Sequence, residues 1–165
     1  MSTLEVKAIQ APTGYDLDMP AGAVIQVVTN GAISDFSTTT YRSWVASNTT
    51  LSITPKFSSS KVFVIITQPV RLAGGSSYAQ LRGGIRLVRG STVIWNTSND
   101  VEAIQTRYSQ VGNEIDHILP ASVLDSPATT NATAYTLEFL KYDGDTFYGF
   151  GSQRGTSITL MEVAG

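Results

Sequence analysis

Residues Lys61–Ile66 read KVFVII, the densest apolar run of the chain. A β-strand points successive side chains to opposite faces of its sheet, so this run carries apolar side chains on both faces. That pattern is typical of a central strand that is covered on both sides. The run is also far too short to span a bilayer, which takes about 20 residues. It therefore predicts a buried strand in the middle of a β-sheet.

A second run, Tyr135–Phe139, alternates large apolar residues with polar ones, so one face packs and the other meets water. Windows rich in Val, Ile, Thr and Tyr recur at intervals of about ten residues, a rhythm typical of a sandwich or barrel. No segment predicts a long helix. The predicted fold class is all-β, a jelly-roll-like antiparallel β-sandwich. We predict strands near 23–29, 49–54, 61–72, 79–89, 92–97, 101–109, 114–119, 133–142, 146–150 and 156–163.

Two short segments that contain glycine predict tight hairpins. Asp143–Asp145 reads DGD after the Tyr135 run, and Arg89–Ser91 reads RGS between two strand-like runs. Glycine favours such turns because it tolerates a positive φ angle. Proline residues in Leu119–Pro120 and Ser126–Pro127 bound a further segment, which we predict to hold a short helical turn.

Composition limits the classes of function. The chain has 165 residues, a length that fits one domain with a short arm, and a formal net charge of −2. Phosphate binding needs clustered Lys and Arg, so we expect no nucleic-acid partner, and we expect no membrane insertion. Only 15% of residues are charged, below the roughly 25% usual for soluble domains, which favours a surface that partners partly cover. The absence of cysteine excludes disulfides, thiol nucleophiles and cysteine-bound zinc.

The first 21 residues differ from the rest of the chain. They show no sustained periodicity and too little apolar content for a core of their own, and no signal peptide is indicated. We predict that residues 1–21 form an extended attachment arm and that residues 22–165 form the β-sandwich domain. The alternative is a frayed terminus. The arm would bind a neighbouring subunit or a larger assembly through Leu4, Val6, Ile9, Leu17 and Met19.

A set of short motifs follows in order along nearly the whole chain. The motifs are Met1–Val6, Met19–Val28, Ser52–Pro55, Ser59–Val62, Arg89–Thr92, Leu124–Thr130, Tyr135–Thr136 and Thr159–Gly165. Taken together, they resemble short tail-fibre-like virion structural proteins of tailed bacteriophages, especially marine ones. The resemblance implies a β-sandwich head and a place in the virion. Because no signal peptide is indicated, we expect assembly in the host cytoplasm. The rhythm is also similar to the trimeric jelly-roll heads of complement- and tumour-necrosis-like modules. Because the family pattern carries no catalytic residues, the resemblance assigns none.

His117 is the only histidine, and Glu114 precedes it by three residues, a pairing that would suit acid/base or metal chemistry. A metal site needs more converging ligands, and the sequence has no HxH, HExxH or calcium-loop motif. It also lacks the G-x-S-x-G turn of a serine hydrolase. We therefore interpret His117 as a strand histidine. We predict no catalytic residue, no metal, no cofactor and no enzymatic activity.

Arg82 and Arg86 share one face of a predicted strand, opposite Leu81, Ile85 and Leu87. Three interpretations stay open: a solvated face, a contact to an acidic glycan or sugar phosphate, or a ring of charges at a subunit interface. Arginine is enriched at interfaces because its planar fork pairs carboxylates in two places at once.

Aromatic side chains complete a candidate partner or receptor surface. Exposed Tyr and Trp residues anchor partners or stack on sugar rings. With Arg82 and Arg86, we include Tyr78, Trp95 and Tyr108 in this surface. The same side chains are as often buried in sandwich cores, so both alternatives stand.

These expectations combine into one predicted function. We expect a homotrimer, because assembly is one way to cover the edge strands of a sandwich. The arm would bind a capsid, tail or portal protein, and the head would adsorb to the host surface, with a host glycan as a further partner. The alternative is a capsid-decorating or head-fibre protein that stabilises or ornaments the phage capsid.

Overall fold

The computed structural model describes residues 20–30, 32–74, 80–97 and 114–165, together with the backbone of 104–107. Within these ranges the regular structure is β-strand, apart from a 3-10 turn at Ser152–Arg154, and no helix there could cross a membrane. The strands are β1 Val24–Thr29, β2 Phe36–Thr38, β3 Trp44–Ile53, β4 Lys61–Ala73, β5 Gln80–Arg89, β6 Thr92–Asn96, β7 Ile104–Arg107, β8 Glu114–Asp125, β9 Thr133–Asp143, β10 Thr146–Gly149 and β11 Ser157–Val163.

The strands form two antiparallel sheets that pack face to face around one core. The first sheet has the order β1-β11-β4-β8. The last part of β4, past the end of β11, pairs with β10, and β10 in turn pairs with β2. The second sheet has the order β3-β9-β5, with β6 and β7 both on the far side of β5. When β2, β7 and β10 are left out and the other eight strands are renumbered 1 to 8 along the chain, the two sheets have the strand orders 1-8-3-6 and 2-7-4-5. That is the order of a jelly roll, and the predicted fold class is confirmed.

Aromatic rings interlock at the centre of the core. The Phe139 ring lies 5.3 Å from the Phe36 ring and 5.0 Å from the Phe147 ring, between centroids. Two glycines leave space for these rings: a Cβ atom on Gly149 would lie 2.6 Å from Phe139, and one on Gly83 would lie 2.8 Å from Phe147. The two sheets therefore fit together at this point through rings that occupy the space of missing side chains. The core further includes Ile53, Val62, Val64, Ile66, Val70, Leu72, Leu81, Ile85, Leu87, Tyr135, Leu137, Ile158 and Leu160.

β8 continues through Leu119–Pro120, where the sequence predicts a break followed by a helical turn. The predicted turn was wrong, because residues 120–125 are strand and 126–129 have no regular structure. Within the described ranges β8 pairs only with β4, so it is an edge strand. Pro120 is tolerated there because an edge strand needs no N–H donor on its open side.

The two predicted hairpins have different outcomes. Gly90, with φ of 58°, joins β5 to β6, and these strands pair directly, as predicted. Gly144, with φ of 113°, follows β9, but the next strand, β10, pairs with β4 in the other sheet. The DGD hairpin was therefore wrong. The N–H of Asp145 donates to the Ala73 carbonyl at 2.8 Å, so this turn carries the chain from the second sheet to the first.

Candidate functional site

An apolar row crosses the outer face of the first sheet. In cross-strand register, Val27 lies beside Met161, Met161 beside Phe63, and Phe63 beside Leu124. These four residues, here called the apolar row, come from β1, β11, β4 and β8. Val27 and Leu124 are about half exposed, at 52% and 51%, and the other two are half-buried. The row is therefore a continuous apolar strip that solvent reaches.

Ile65 extends this apolar surface by one step along β4. It is 37% exposed and lies between Thr159 and Ser122 of the neighbouring strands. The sequence predicts that Lys61–Ile66 is covered on both sides. That prediction holds for the inner side chains, which are in the core, whereas the described residues cover the outer ones only in part: Phe63 is half-buried and Ile65 is exposed. An open apolar face on a central strand is typical of a contact surface.

A second surface lies on the outer face of the second sheet and includes Arg82 and Arg86. The opposite face of β5 carries Leu81, Ile85 and Leu87, which are buried, so the predicted division of β5 into two faces is confirmed. Arg82 forms an ion pair with Asp143, and the Arg86 Nε atom donates to Glu138 Oε2 at 2.6 Å. Both arginines are thus paired to β9 within the same sheet, which holds their side chains on this face.

Aromatic rings lie beside these arginines. The Arg86 guanidinium is 4.5 Å from the centroid of the Trp44 ring, and that ring packs over Gly84, where a Cβ atom would come within 3.4 Å of it. Further along the face, the Tyr142 ring contacts two guanidinium groups, those of Arg82 at 4.4 Å and Arg42 at 4.0 Å. Sequence reasoning missed Arg42 and Tyr142 as candidate site residues.

The other predicted site residues do not join this surface in the described part of the chain. Trp95 is half-buried and packs against the core. Tyr78, Tyr108 and the arm residues Leu4, Val6, Ile9, Leu17 and Met19 lie outside the described residues. Whether these side chains contact partners stays a prediction.

His117 is exposed on β8, and Glu114 does not pair with it. Glu114 instead contacts Arg71 Nη1 at 2.7 Å, and Asp116 contacts Arg71 Nε at 2.6 Å. The hydrogen bond from Arg71 holds the pKa of the Asp116 carboxyl below its usual value, although partial burial opposes this. Among the described residues, no three His, Cys, Asp or Glu side chains lie close enough to hold a metal ion.

No protein-family model and no curated protein matches the chain. Among solved structures, it is similar to the VP2 subviral particle of infectious bursal disease virus, with a TM-score of 0.45 and 15% identity over 97% of this chain and 37% of that chain. It is also similar to the T13 viral particle of the same virus, with a TM-score of 0.44 and 14% identity over 97% and 36%. The chain spans just over a third of the length of those chains. The strand order by itself defines the class: this is a jelly-roll β-sandwich.

Proposed function

We propose that the chain is a structural module of a virion and that its copies form a homotrimer through the apolar row. The observation that carries the proposal is the row itself, four apolar side chains in register across four strands on a face that the described residues leave open. Monomeric soluble proteins rarely expose continuous apolar patches, and those that do commonly use them to bind partners. We expect no catalytic activity.

A second copy of the chain suits this face for two reasons. First, Ile65, Thr159 and Ser122 border the row, so the patch has an apolar centre and a partly polar border, as protein interfaces do. Second, the row ends on β1 and β8, which are both edge strands among the described residues. A neighbouring copy would cover these open edges together with the row, which removes a site of unwanted strand pairing.

Within the virion, we propose a tail-fibre-like role. Residues 1–21 attach the module to a capsid, tail or portal protein, and the sandwich head contacts the host surface. The ordered sequence motifs support this role, and jelly rolls occur in both viral capsid and lectin domains. Fold analogy alone does not assign a function, so the proposal depends on the assembly surface and its test.

The first experiment is absolute mass by light scattering. We expect a trimer both for the full chain and for a chain lacking residues 1–21, because the proposed interface lies in the sandwich. Leu124→Lys places a charge in the apolar row and should give a folded monomer. Val93→Lys is the matched control, since Val93 is 46% exposed on β6 of the other sheet, and it should stay trimeric. A monomeric full chain, or equal dissociation of both variants, would contradict the proposed interface.

A capsid-decorating role is the second candidate, because a capsid lattice would cover the same apolar row. The two roles differ in what the purified trimer binds. Binding to host cells supports adsorption. Rebinding to stripped capsids without binding to host cells supports decoration.

A further inference from the structure

A second feature of the molecule lies where the chain enters β3. Tyr41 forms a parallel bridge with Lys141, and the Arg42 N–H donates to the Lys141 carbonyl at 2.8 Å, so both residues are fixed against β9. Arg42 has a φ of 49°, in the left-handed region that residues other than glycine seldom adopt. Such costly backbone conformations concentrate at binding sites, where the surrounding structure holds them in place.

The Arg42 guanidinium is stacked on aromatic rings but is not neutralised. It lies 4.0 Å from the centroid of the Tyr142 ring and 4.8 Å from that of Tyr41. Arg82 contacts the same Tyr142 ring but is paired with Asp143. Across the described ranges, no carboxylate forms a salt bridge with Arg42. Its hydrogen-bond donors are therefore oriented by the rings and free to bind an anion.

The charges around Arg42 also favour an anion. Arg82 and Arg86 are each paired with a carboxylate, that of Asp143 and that of Glu138, so among these five residues the positive charge of Arg42 is left uncompensated. An uncompensated positive charge at the surface raises the local concentration of anions.

We propose that Arg42, Tyr41 and Tyr142 form a binding site for an acidic saccharide, a sugar that carries a carboxylate. The planar fork of Arg42 pairs with the sugar carboxylate through two parallel hydrogen bonds. The ring of Tyr41, which is 55% exposed, packs against the apolar face of the sugar ring. The proposal rests on the adsorption role proposed above and names its ligand class.

The test is calorimetric titration of the full chain with oligosaccharides of galacturonic, guluronic and glucuronic acid. At least one should bind, and its methyl ester, which keeps the rings but loses the charges, should bind about tenfold more weakly or worse. Arg42→Asn removes the guanidinium, and Asn tolerates the left-handed backbone, so it should lose about tenfold or more in affinity. Arg154→Asn is the matched control, because Arg154 also stacks on an aromatic ring, that of Phe150 at 4.2 Å, and it should bind normally.

Failure of all three acidic oligosaccharides to bind, equal binding of acid and ester, or equal losses in the two variants would overturn the proposal. Equally tight binding of a thymidine oligonucleotide would also overturn it, since the surface would then attract anions in general. The mass measurement is independent of this titration. A trimer that binds no saccharide refutes only the site, and a monomer that binds one refutes only the assembly.

Discussion

At the scale of single residues, Glu162 shows how one buried carboxylate joins distant parts of the chain. Its carboxylate accepts the N–H of Lys56 at 2.7 Å, the N–H of Phe57 at 3.3 Å and the side-chain amide of Gln26 at 2.6 Å. It thereby ties the loop before β4 to the edge strand β1. Burial alone would raise the pKa of Glu162, but the Ser60 hydroxyl and these three hydrogen bonds together hold it below its usual value.

The lowered pKa makes stability depend on pH. A carboxyl group with a depressed folded-state pKa stabilises the fold above its unfolded-state pKa of about 4.3, and this contribution is lost as the pH falls through the folded-state value. At neutral pH, Glu162→Gln should lower the free energy of unfolding by about 1–3 kcal/mol, since an amide cannot accept all these donors. The difference between wild type and variant should shrink on acidification below about pH 4.3.

Urea unfolding at neutral and acidic pH measures both effects. Glu114→Gln is the control, because Glu114 belongs to an exposed ion pair with Arg71 and should cost less than about 1 kcal/mol. Equal losses at the two positions would show that the burial of Glu162 contributes nothing beyond an ordinary surface contact.

At the scale of strands, two adjacent glycines of β5 have opposite surroundings. A Cβ atom on Gly83 would meet the Phe147 ring at 2.8 Å and the Leu140 carbonyl at 3.0 Å, whereas one on Gly84 would meet the Trp44 ring at 3.4 Å. Gly83→Ala should therefore destabilise the protein by about 1–3 kcal/mol through overpacking. Gly84→Ala should cost less than about 1 kcal/mol, since alanine also restricts the unfolded chain. Thermal unfolding distinguishes the two, and an equal loss at Gly84 would mean that the outer face is as tightly packed as the core.

The sequence predicts the positions of strands better than it predicts which strands pair with one another. Alternation in Tyr135–Phe139 depends on adjacent residues, so the position of β9 can be read locally. Sheet partners depend on distant residues. Gly90 and Gly144 both supply a positive φ, yet one turn joins paired strands and the other changes sheets. Pro120 was misinterpreted for the same reason: β8 tolerates proline because it has no second neighbour among the described strands, which the local sequence does not reveal.

The candidate surfaces were predicted in part for similar reasons. Arg82 and Arg86 share a face because they lie four residues apart on one strand, a relation that follows from the two-residue period. Arg42 could not be predicted, because its place depends on a left-handed φ and on pairing with Lys141, 99 residues further along the chain. The apolar character of Phe63 and Ile65 was visible, but the sequence does not say what covers them.

At the scale of the whole molecule, the two outer faces differ in chemistry. The first sheet presents the apolar row, and the second presents paired arginines and aromatic rings. Apolar contact is non-directional and suits burial by another copy, whereas charged groups with fixed geometry suit specific recognition. This division explains how one small sandwich could assemble through one sheet and bind a ligand through the other.

Assembly through the apolar row would also make stability depend on protein concentration. If the folded chain is a trimer and the unfolded chain is not, mass action raises the midpoint of thermal unfolding as concentration increases. Over about a hundredfold range of concentration, calorimetry of the full chain should show a steadily rising midpoint, and Val93→Lys should follow it. Leu124→Lys should unfold at a lower temperature that does not change with concentration, because a monomer has no association equilibrium. A wild-type unfolding midpoint that stays constant over this range of concentration would contradict assembly through the apolar row.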